Sequence, residues 1–117
     1  MTRVYVAGPY SGETLDMLEN MRRGIAMCVR LLVSGFAPFC PWLDFMYVLC
    51  RPEDTEVTVE MLKAYSMAWL DAADVVLVLP GWERSPGTRA EMVRANEKGI
   101  AVVFSVDELK EWAEEHK

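Results

Sequence analysis

Four short apolar segments along the chain predict four β-strands. They span residues 4–8, 36–41, 74–80 and 100–105. The first and third carry unbroken apolar runs rich in β-branched residues, which is typical of strands buried on both faces of a parallel sheet. Pro38 lacks a backbone N–H, so the second strand is predicted to lie near an edge of the sheet.

Apolar residues at helical spacing follow the first two strands. The first helix is predicted to end at Ser34-Gly35, because glycine is favoured just beyond a helix C-terminus. Its predicted inward stripe consists of Leu15, Leu18, Arg22, Ile25, Val29 and Leu32, with Arg22 at the edge. A second long helix is predicted from about Glu56 to Ala72. Its inward residues include Leu62, Tyr65, Trp69 and Leu70.

The remaining helices follow the third and fourth strands. One is predicted over about 88–98, and the last begins at the capping-box pattern of 105–108. Residues 42–55 form either a short helix or a loop before the next helix.

Strands that alternate with helices predict parallel pairing and right-handed crossovers. The sequence is therefore assigned to the α/β class, as a small Rossmann-like (flavodoxin-like) three-layer fold with a mostly parallel sheet of four to five strands. Residues 1–117 are expected to form a single domain. Such sheets bind ligands beyond the carboxyl ends of their strands, near the switch point. Two loops at these strand ends contain the most residues able to bind a ligand. They are 8–12 (GPYSG) and 80–87 (PGWERSPG).

Composition narrows the classes of ligand. The net charge of −6 and the pI near 4.8 argue against a nucleic-acid partner, since such partners are bound by basic surfaces. A single phosphate is compatible with this charge, because a few backbone N–H groups can hold it. The chain contains neither G-x-G-x-x-G nor G-x-x-x-x-G-K-[ST], so neither a dinucleotide cofactor nor P-loop hydrolysis is expected.

The cysteines and the hydropathy of the chain indicate whether a metal site or a membrane segment is expected. Cys28, Cys40 and Cys50 fit no zinc-binding spacing, and the only histidine is His116. We expect reduced thiols, no metal and no cofactor in a cytoplasmic protein. The chain begins with a strand and has no run of ~18 apolar residues, so neither a signal peptide nor a membrane segment is expected.

Glu91 follows the loop at 80–87, and two interpretations of it stay open. Thr88-x-x-Glu91 fits a capping box, in which each side chain covers the other residue's backbone N–H. Alternatively, a carboxylate in the first helical turn is held ionised by the helix dipole. Near a ligand pocket, such a carboxylate can attack an electrophilic sugar carbon.

The residues near Glu91 can likewise be interpreted either as structural or as functional. Ser85 and the N–H groups of 87–89 form either an anion site or an ordinary turn, and Gly87 permits close backbone approach or a positive φ. Tyr5 is either a core residue or a hydroxyl directed at Glu91. The aromatic residues in loops or unassigned segments either hold a planar base or close the core. They are Trp42, Phe45, Tyr47 and Trp82.

Two segments, VYVAGPYSG and ADVVLVLPGWERSPGTRAEMVRANEKGIAV, resemble the nucleoside 2-deoxyribosyltransferase-like superfamily. The spacing is most similar to its small branch with G-W-x-x-S-x-G-x-x-x-E and to the nucleoside 5′-monophosphate N-glycosidases. The resemblance covers nearly the whole chain and is weakest at 42–65. It implies that Glu91 is the nucleophile at the anomeric carbon and that Tyr5 positions it. It also implies a homodimer or larger homo-oligomer.

The loops of the resembled proteins surround the sugar and the 5′-phosphate. Trp42 is included as a candidate for the base because of its aromatic ring and not because of the resemblance, with core packing as the alternative. The predicted substrate-binding residues are Gly8, Pro9, Tyr10, Trp42, Gly81, Trp82, Ser85, Gly87 and Thr88.

One position departs from the pattern of the resembled family. Its members usually carry an aspartate, as acid and base, eight residues before the aspartate that opens the third strand. Counting back from Asp74 gives Ser66, which cannot act as a carboxylic acid. Either Asp44 or another group takes this catalytic role, or a good leaving group makes it unnecessary, or the activity is reduced or lost.

The predicted function is hydrolysis of the N-glycosidic bond of a nucleoside or nucleoside 5′-monophosphate, or 2-deoxyribosyl transfer, through Glu91. Hydrolysis is preferred because a transferase must also activate an incoming base. The alternative is a non-catalytic nucleotide-binding module with the same pocket. A purely structural role explains neither the Ser-Pro-Gly-Thr loop nor the strand tyrosine. An apolar content of 52% also favours self-association, since one small core leaves apolar surface uncovered.

Overall fold

Four parallel strands form the centre of the molecule. The computed structural model describes residues 1–117. The strands are β1 (Arg3–Ala7), β2 (Ala37–Phe39), β3 (Val75–Val78) and β4 (Ala101–Val103). They pair in the order β2-β1-β3-β4, and every pair is parallel. The predicted α/β, Rossmann-like class is therefore confirmed, and β2 occupies an edge, as Pro38 indicated.

Five α-helices connect and cover these strands. They are α1 (Thr14–Val33), α2 (Asp44–Leu49), α3 (Val59–Asp71), α4 (Pro86–Glu97) and α5 (Val106–Glu115). Short 3-10 segments at Pro41–Leu43 and Trp82–Arg84 precede α2 and α4. The helix left open in the segment 42–55 is thus present as α2. No helix combines the length and the apolar character needed to cross a bilayer.

Successive residues of the central strands face opposite layers. Val4 and Val6 pack in a core cluster with residues of α1 and α5. Tyr5 and Ala7 pack in a second cluster with residues of α3 and α4. The side chain of Tyr5 is therefore directed into the layer that contains Glu91.

The predicted inward stripe of α1 is wrong in most of its members. Gly24, Cys28 and Leu31 are the buried residues of this helix. Ile25 of the predicted stripe packs against the core. The other five members are exposed and are Leu15, Leu18, Arg22, Val29 and Leu32. The physical reason is that α1 has two apolar faces. The indole of Trp42 lies directly against Gly24, where any Cβ would overlap it.

The start of α4 also differs from its prediction. The helix begins at Pro86, and the Ser85 hydroxyl caps it by accepting the N–H of Thr88 at 3.3 Å. Glu91 therefore lies in the second turn, and its side chain points away from the cap. The capping-box interpretation of Thr88 and Glu91 is wrong, whereas the capping residue predicted for α5, Ser105, is confirmed.

Candidate active site

The loops that follow β1 and β3 meet at the switch point of the sheet. Gly81 adopts φ of 92°, a conformation that favours glycine. A Cβ built on Gly81 would lie 3.1 Å from the ring of Pro9. The indole N–H of Trp42 donates to the carbonyl of Pro9 at 3.1 Å. The loops at 8–12 and 80–87 are thus held side by side, where this type of sheet places ligands.

The centre of the site is a tyrosine–glutamate pair. The hydroxyl of Tyr5, a fully buried residue of β1, donates a hydrogen bond to a carboxylate oxygen of Glu91. Glu91 keeps some contact with solvent. The structure therefore brings together the two side chains that the sequence analysis expected to meet, although 86 positions separate them.

Desolvation controls the ionisation of this pair. Burial raises the pKa of Glu91 to about 7, and the hydrogen bond from Tyr5 opposes part of the rise. Burial, and then the Glu91 carboxylate, raise the pKa of Tyr5 above its ordinary value. The expectation that the helix dipole holds Glu91 ionised is wrong, because the residue lies beyond the first turn and desolvation is the larger effect. A carboxyl group that titrates near neutrality is suited to nucleophilic or acid–base chemistry.

A second buried carboxyl group lies nearby at the start of α2. Asp44 is 9% exposed, and its Oδ1 accepts the hydroxyl of Tyr10 at 2.7 Å. Burial raises the pKa of Asp44, and the Tyr10 hydrogen bond opposes this. The charge of Asp44 also raises the pKa of Tyr5, so Asp44 lies close enough to act electrostatically on Tyr5. A carboxyl group whose pKa is raised by burial holds its proton more readily than an exposed aspartate, which favours a role in proton transfer.

Ser66 belongs to the same site. It lies on α3, close enough to Tyr5 for its hydroxyl to lower the pKa of Tyr5 against the effect of burial. The position at which the resembled family carries an aspartate therefore faces the central pair. A hydroxyl at this position can orient a ligand but cannot supply an acidic proton near neutral pH.

An aromatic wall that was not predicted from the sequence lies beside the pair and is formed by Phe39, Tyr65 and Trp69. Phe39 stacks on Tyr5 with 5.4 Å between ring centroids, and Trp69 stacks on Phe39 at 5.7 Å. Tyr65 contacts Phe39 at 5.8 Å. Local patterns identified these residues only as strand or inward helix positions. Their meeting depends on the register of β1 with β2, which pairs Tyr5 with Phe39.

The expected anion site after β3 has fewer free donors than predicted. The Thr88 N–H binds the Ser85 hydroxyl, and the Arg89 N–H binds the Ser85 carbonyl at 3.0 Å. Of the three amides expected to be free, only that of Gly87 has no partner in the protein. Gly87 is helical and does not adopt a positive φ. The Ser85 hydroxyl also shares a hydrogen bond with the buried Thr88 hydroxyl at 2.8 Å. The Gly87 amide is therefore the free donor for an anion, and Ser85 can donate to one only when Thr88 donates to Ser85.

The tryptophans assigned to substrate binding occupy different environments. Trp42 is 1% exposed, so its ring closes the core and has no free face for a base. Trp82 is partly exposed, packs against the core cluster of α3 and α4, and contacts Phe104 at 5.9 Å. The other two aromatic residues considered for a planar base, Phe45 and Tyr47, lie on α2. Phe45 is partly buried and Tyr47 is exposed.

An apolar groove of ≈ 400 Å³ runs between α2, the loop that follows it and α3. Tyr47 and Tyr65 line it, and their hydroxyl oxygens lie 3.4 Å apart. Tyr65 is the residue that this groove shares with the aromatic wall, and neither Tyr5 nor Glu91 lines the groove. No group of three or more His, Cys, Asp or Glu side chains is arranged to hold a metal ion.

Comparison with known proteins identifies a family without an assigned activity. Residues 2–105 match the model of a family described as Domain of unknown function (DUF7768). No curated protein matches the chain. The matched region contains both loops at the switch point and every residue of the site described above.

Proposed function

The chain belongs to the DUF7768 family, and we propose that it cleaves the N-glycosidic bond of a nucleoside or nucleoside 5′-monophosphate, with Glu91 as the nucleophile. The observation that supports this most strongly is the buried Tyr5–Glu91 pair at the switch point of the sheet. A helix cap would not need this partner, because Ser85 already caps α4. A carboxylate held in a partly desolvated site is suited to an oxocarbenium-like carbon.

In the proposed reaction, an ionised Glu91 oxygen forms a bond to the anomeric carbon as the bond from that carbon to the base nitrogen breaks. The electron pair of the broken bond stays on the base, which takes a proton from Asp44. Water then attacks the anomeric carbon, returns a proton to Asp44 and releases the Glu91 carboxylate. Positive charge that develops on the sugar favours the ionised form of Glu91 and offsets the effect of its burial.

The remaining residues suggest how a nucleotide would lie. The sugar would contact Glu91 and Ser66, while the buried Tyr5 positions the Glu91 carboxylate through its hydrogen bond. The base would extend towards Asp44 and the aromatic wall. A 5′-phosphate would reach the Ser85 hydroxyl and the free amide of Gly87, which is favoured by its position at a helix N-terminus.

Hydrolysis is favoured over 2-deoxyribosyl transfer. Transfer requires a group that activates the incoming base, and Ser66 replaces the aspartate that does so in the resembled family. We further propose a homo-oligomeric, cytoplasmic protein. The three free cysteines suit a reducing compartment.

The second candidate is a nucleotide-binding module without turnover. The observation that favours it is the hydroxyl of Ser66, since a site without a full acid can still bind. A panel of nucleosides and 5′-monophosphates separates the two candidates. Free base detected by chromatography supports the enzyme. Calorimetric binding without base release supports the binding module, and neither binding nor release would reject both.

A further inference from the structure

The side of α1 that faces solvent carries a stripe of apolar residues. The stripe, here called the α1 outer stripe, follows three- and four-residue spacing and consists of Leu15, Leu18, Arg22, Ala26, Val29 and Val33. All six are exposed, and the four large apolar members expose 45% to 82% of their surface. The buried residues Gly24, Cys28 and Leu31 lie on the other side of the helix.

We propose that the α1 outer stripe packs against the same stripe of a second copy of this chain, with the two helices antiparallel. With the adjacent Leu32, the stripe exposes on the order of 400 Å² of apolar surface. The largest apolar patch on a typical monomer is about 300–600 Å² and is often functional. A standard interface buries ~800 Å² per partner, roughly 500 Å² of it apolar in homodimers. The stripe therefore supplies most of the apolar surface that a symmetric dimer needs.

The charged residues beside the stripe favour the antiparallel arrangement. Glu19 and Arg30 lie on the same flank, near opposite ends of the helix. A twofold axis through the middle of the stripe brings Glu19 of each copy beside Arg30 of the other. Arg30 has no ion pair within its own chain, whereas Glu19 already binds Arg22 and Arg23 at 2.7 and 3.2 Å.

Arg22, the only polar member of the stripe, also fits this arrangement. In a parallel pair, Arg22 of one copy would face Arg22 of the other, and two like charges would be brought together. In the antiparallel pair it faces Ala26, whose small side chain leaves room for it. The two helices then pack with the three- and four-residue spacing typical of paired helices.

This inference specifies the interface of the proposed homo-oligomer and does not rest on the proposed reaction. Residues of α1 pack on the opposite face of the sheet from those of α3 and α4, so the stripe lies away from Glu91. Loss of base release in a Glu91 variant would therefore leave the oligomeric state unchanged, and the two proposals can fail separately.

Light scattering at micromolar concentration tests the dimer. The wild type should have twice the chain mass of 13.3 kDa, and Val29→Glu should return to the mass of one chain. Val93→Glu is the matched control, because Val93 is a valine of α4 with 58% exposure against 54% for Val29, and this variant should remain dimeric. Far-UV circular dichroism checks that both variants are folded. A monomeric wild type, a dimeric Val29→Glu, or equal dissociation of both variants would overturn the proposal.

Cross-linking tests the antiparallel register. Cys50 is exposed, so it is first replaced by serine. In the antiparallel dimer, position 15 of one copy lies beside position 33 of the other, and mild oxidation of the Leu15→Cys, Val33→Cys double variant should link most chains in pairs. Each single variant should stay unlinked, because its two cysteines lie ~27 Å apart along the helices. Efficient linking of a single variant would indicate a parallel pair and contradict the proposal.

Discussion

Replacing Glu91 with glutamine should stabilise the folded protein at alkaline pH and not at acidic pH. Burial raises the pKa of Glu91 from 4.5 to about 7. The folded state therefore binds this proton more tightly than the unfolded chain. The resulting stability is complete below pH ~4.5 and is lost as the pH rises through about 7.

The size of the effect follows from the pKa shift. Each pKa unit corresponds to ~1.4 kcal/mol of unfolding free energy, so the shift of the Glu91 pKa amounts to about 3 kcal/mol. Glu91 retains some solvent contact, and we expect roughly 1–3 kcal/mol after allowing for screening. Glutamine is neutral at every pH, keeps the shape of the side chain and can still accept the Tyr5 hydrogen bond. The difference in unfolding free energy, Glu91→Gln minus wild type, should rise by this amount between pH 4.5 and 8.

Urea denaturation at the two pH values measures this difference. Glu97→Gln is a suitable control, because Glu97 is an exposed glutamate of the same helix, and its difference from wild type should change little. A structural carboxylate that stabilises the helix would give the opposite sign. If Glu91→Gln lowered the unfolding free energy by ~1 kcal/mol at pH 8, the reasoning from burial would be refuted.

Other substitutions test the neighbours of Glu91. Tyr5→Phe removes the hydrogen bond that lowers the pKa of Glu91, so the acid limb of the pH–rate profile for base release should move above pH 7; an unmoved limb would contradict this pairing. Ser66→Asp should raise the rate of base release, with ~10²-fold as the lower range for general-acid assistance, and an unchanged rate would show that Ser66 is not the limiting group. Asp44→Asn should slow base release by a similar factor while calorimetric binding of the nucleotide changes little, and unaltered kinetics would remove Asp44 as the acid. Gly24→Ala should lower the unfolding free energy by ~1–3 kcal/mol, because its methyl group overlaps the indole packed there; a stability equal to wild type in urea would contradict that packing.

Strand positions could be predicted because their signal is local. Val4, Val6 and Val75 belong to short, β-branched apolar runs typical of a strand covered on both faces, and Pro38 favoured an edge position for β2. The meeting of Tyr5 and Glu91 was also within reach, since parallel sheets bring the carboxyl ends of neighbouring strands together.

Other features depended on competing local signals or on tertiary contacts. Ser85-x-x-Thr88 and Thr88-x-x-Glu91 are overlapping cap patterns, and only the proline at position 86, favoured at the first helical position, selects the earlier one. On α1, hydrophobic periodicity could not show which of two apolar faces meets the sheet. The decisive contact, Trp42 against Gly24, joins residues from separate elements. The aromatic wall likewise depends on strand register.

The most direct test of the central claim is the rate of base release by Glu91→Gln relative to wild type, under single-turnover conditions with a nucleoside 5′-monophosphate. A carboxylate nucleophile predicts a loss on the order of 10³-fold or more, in a variant that is folded and still binds the nucleotide, whereas Glu97→Gln should retain the wild-type rate. A Glu91→Gln rate within a few-fold of wild type would contradict the assignment of Glu91 as the nucleophile.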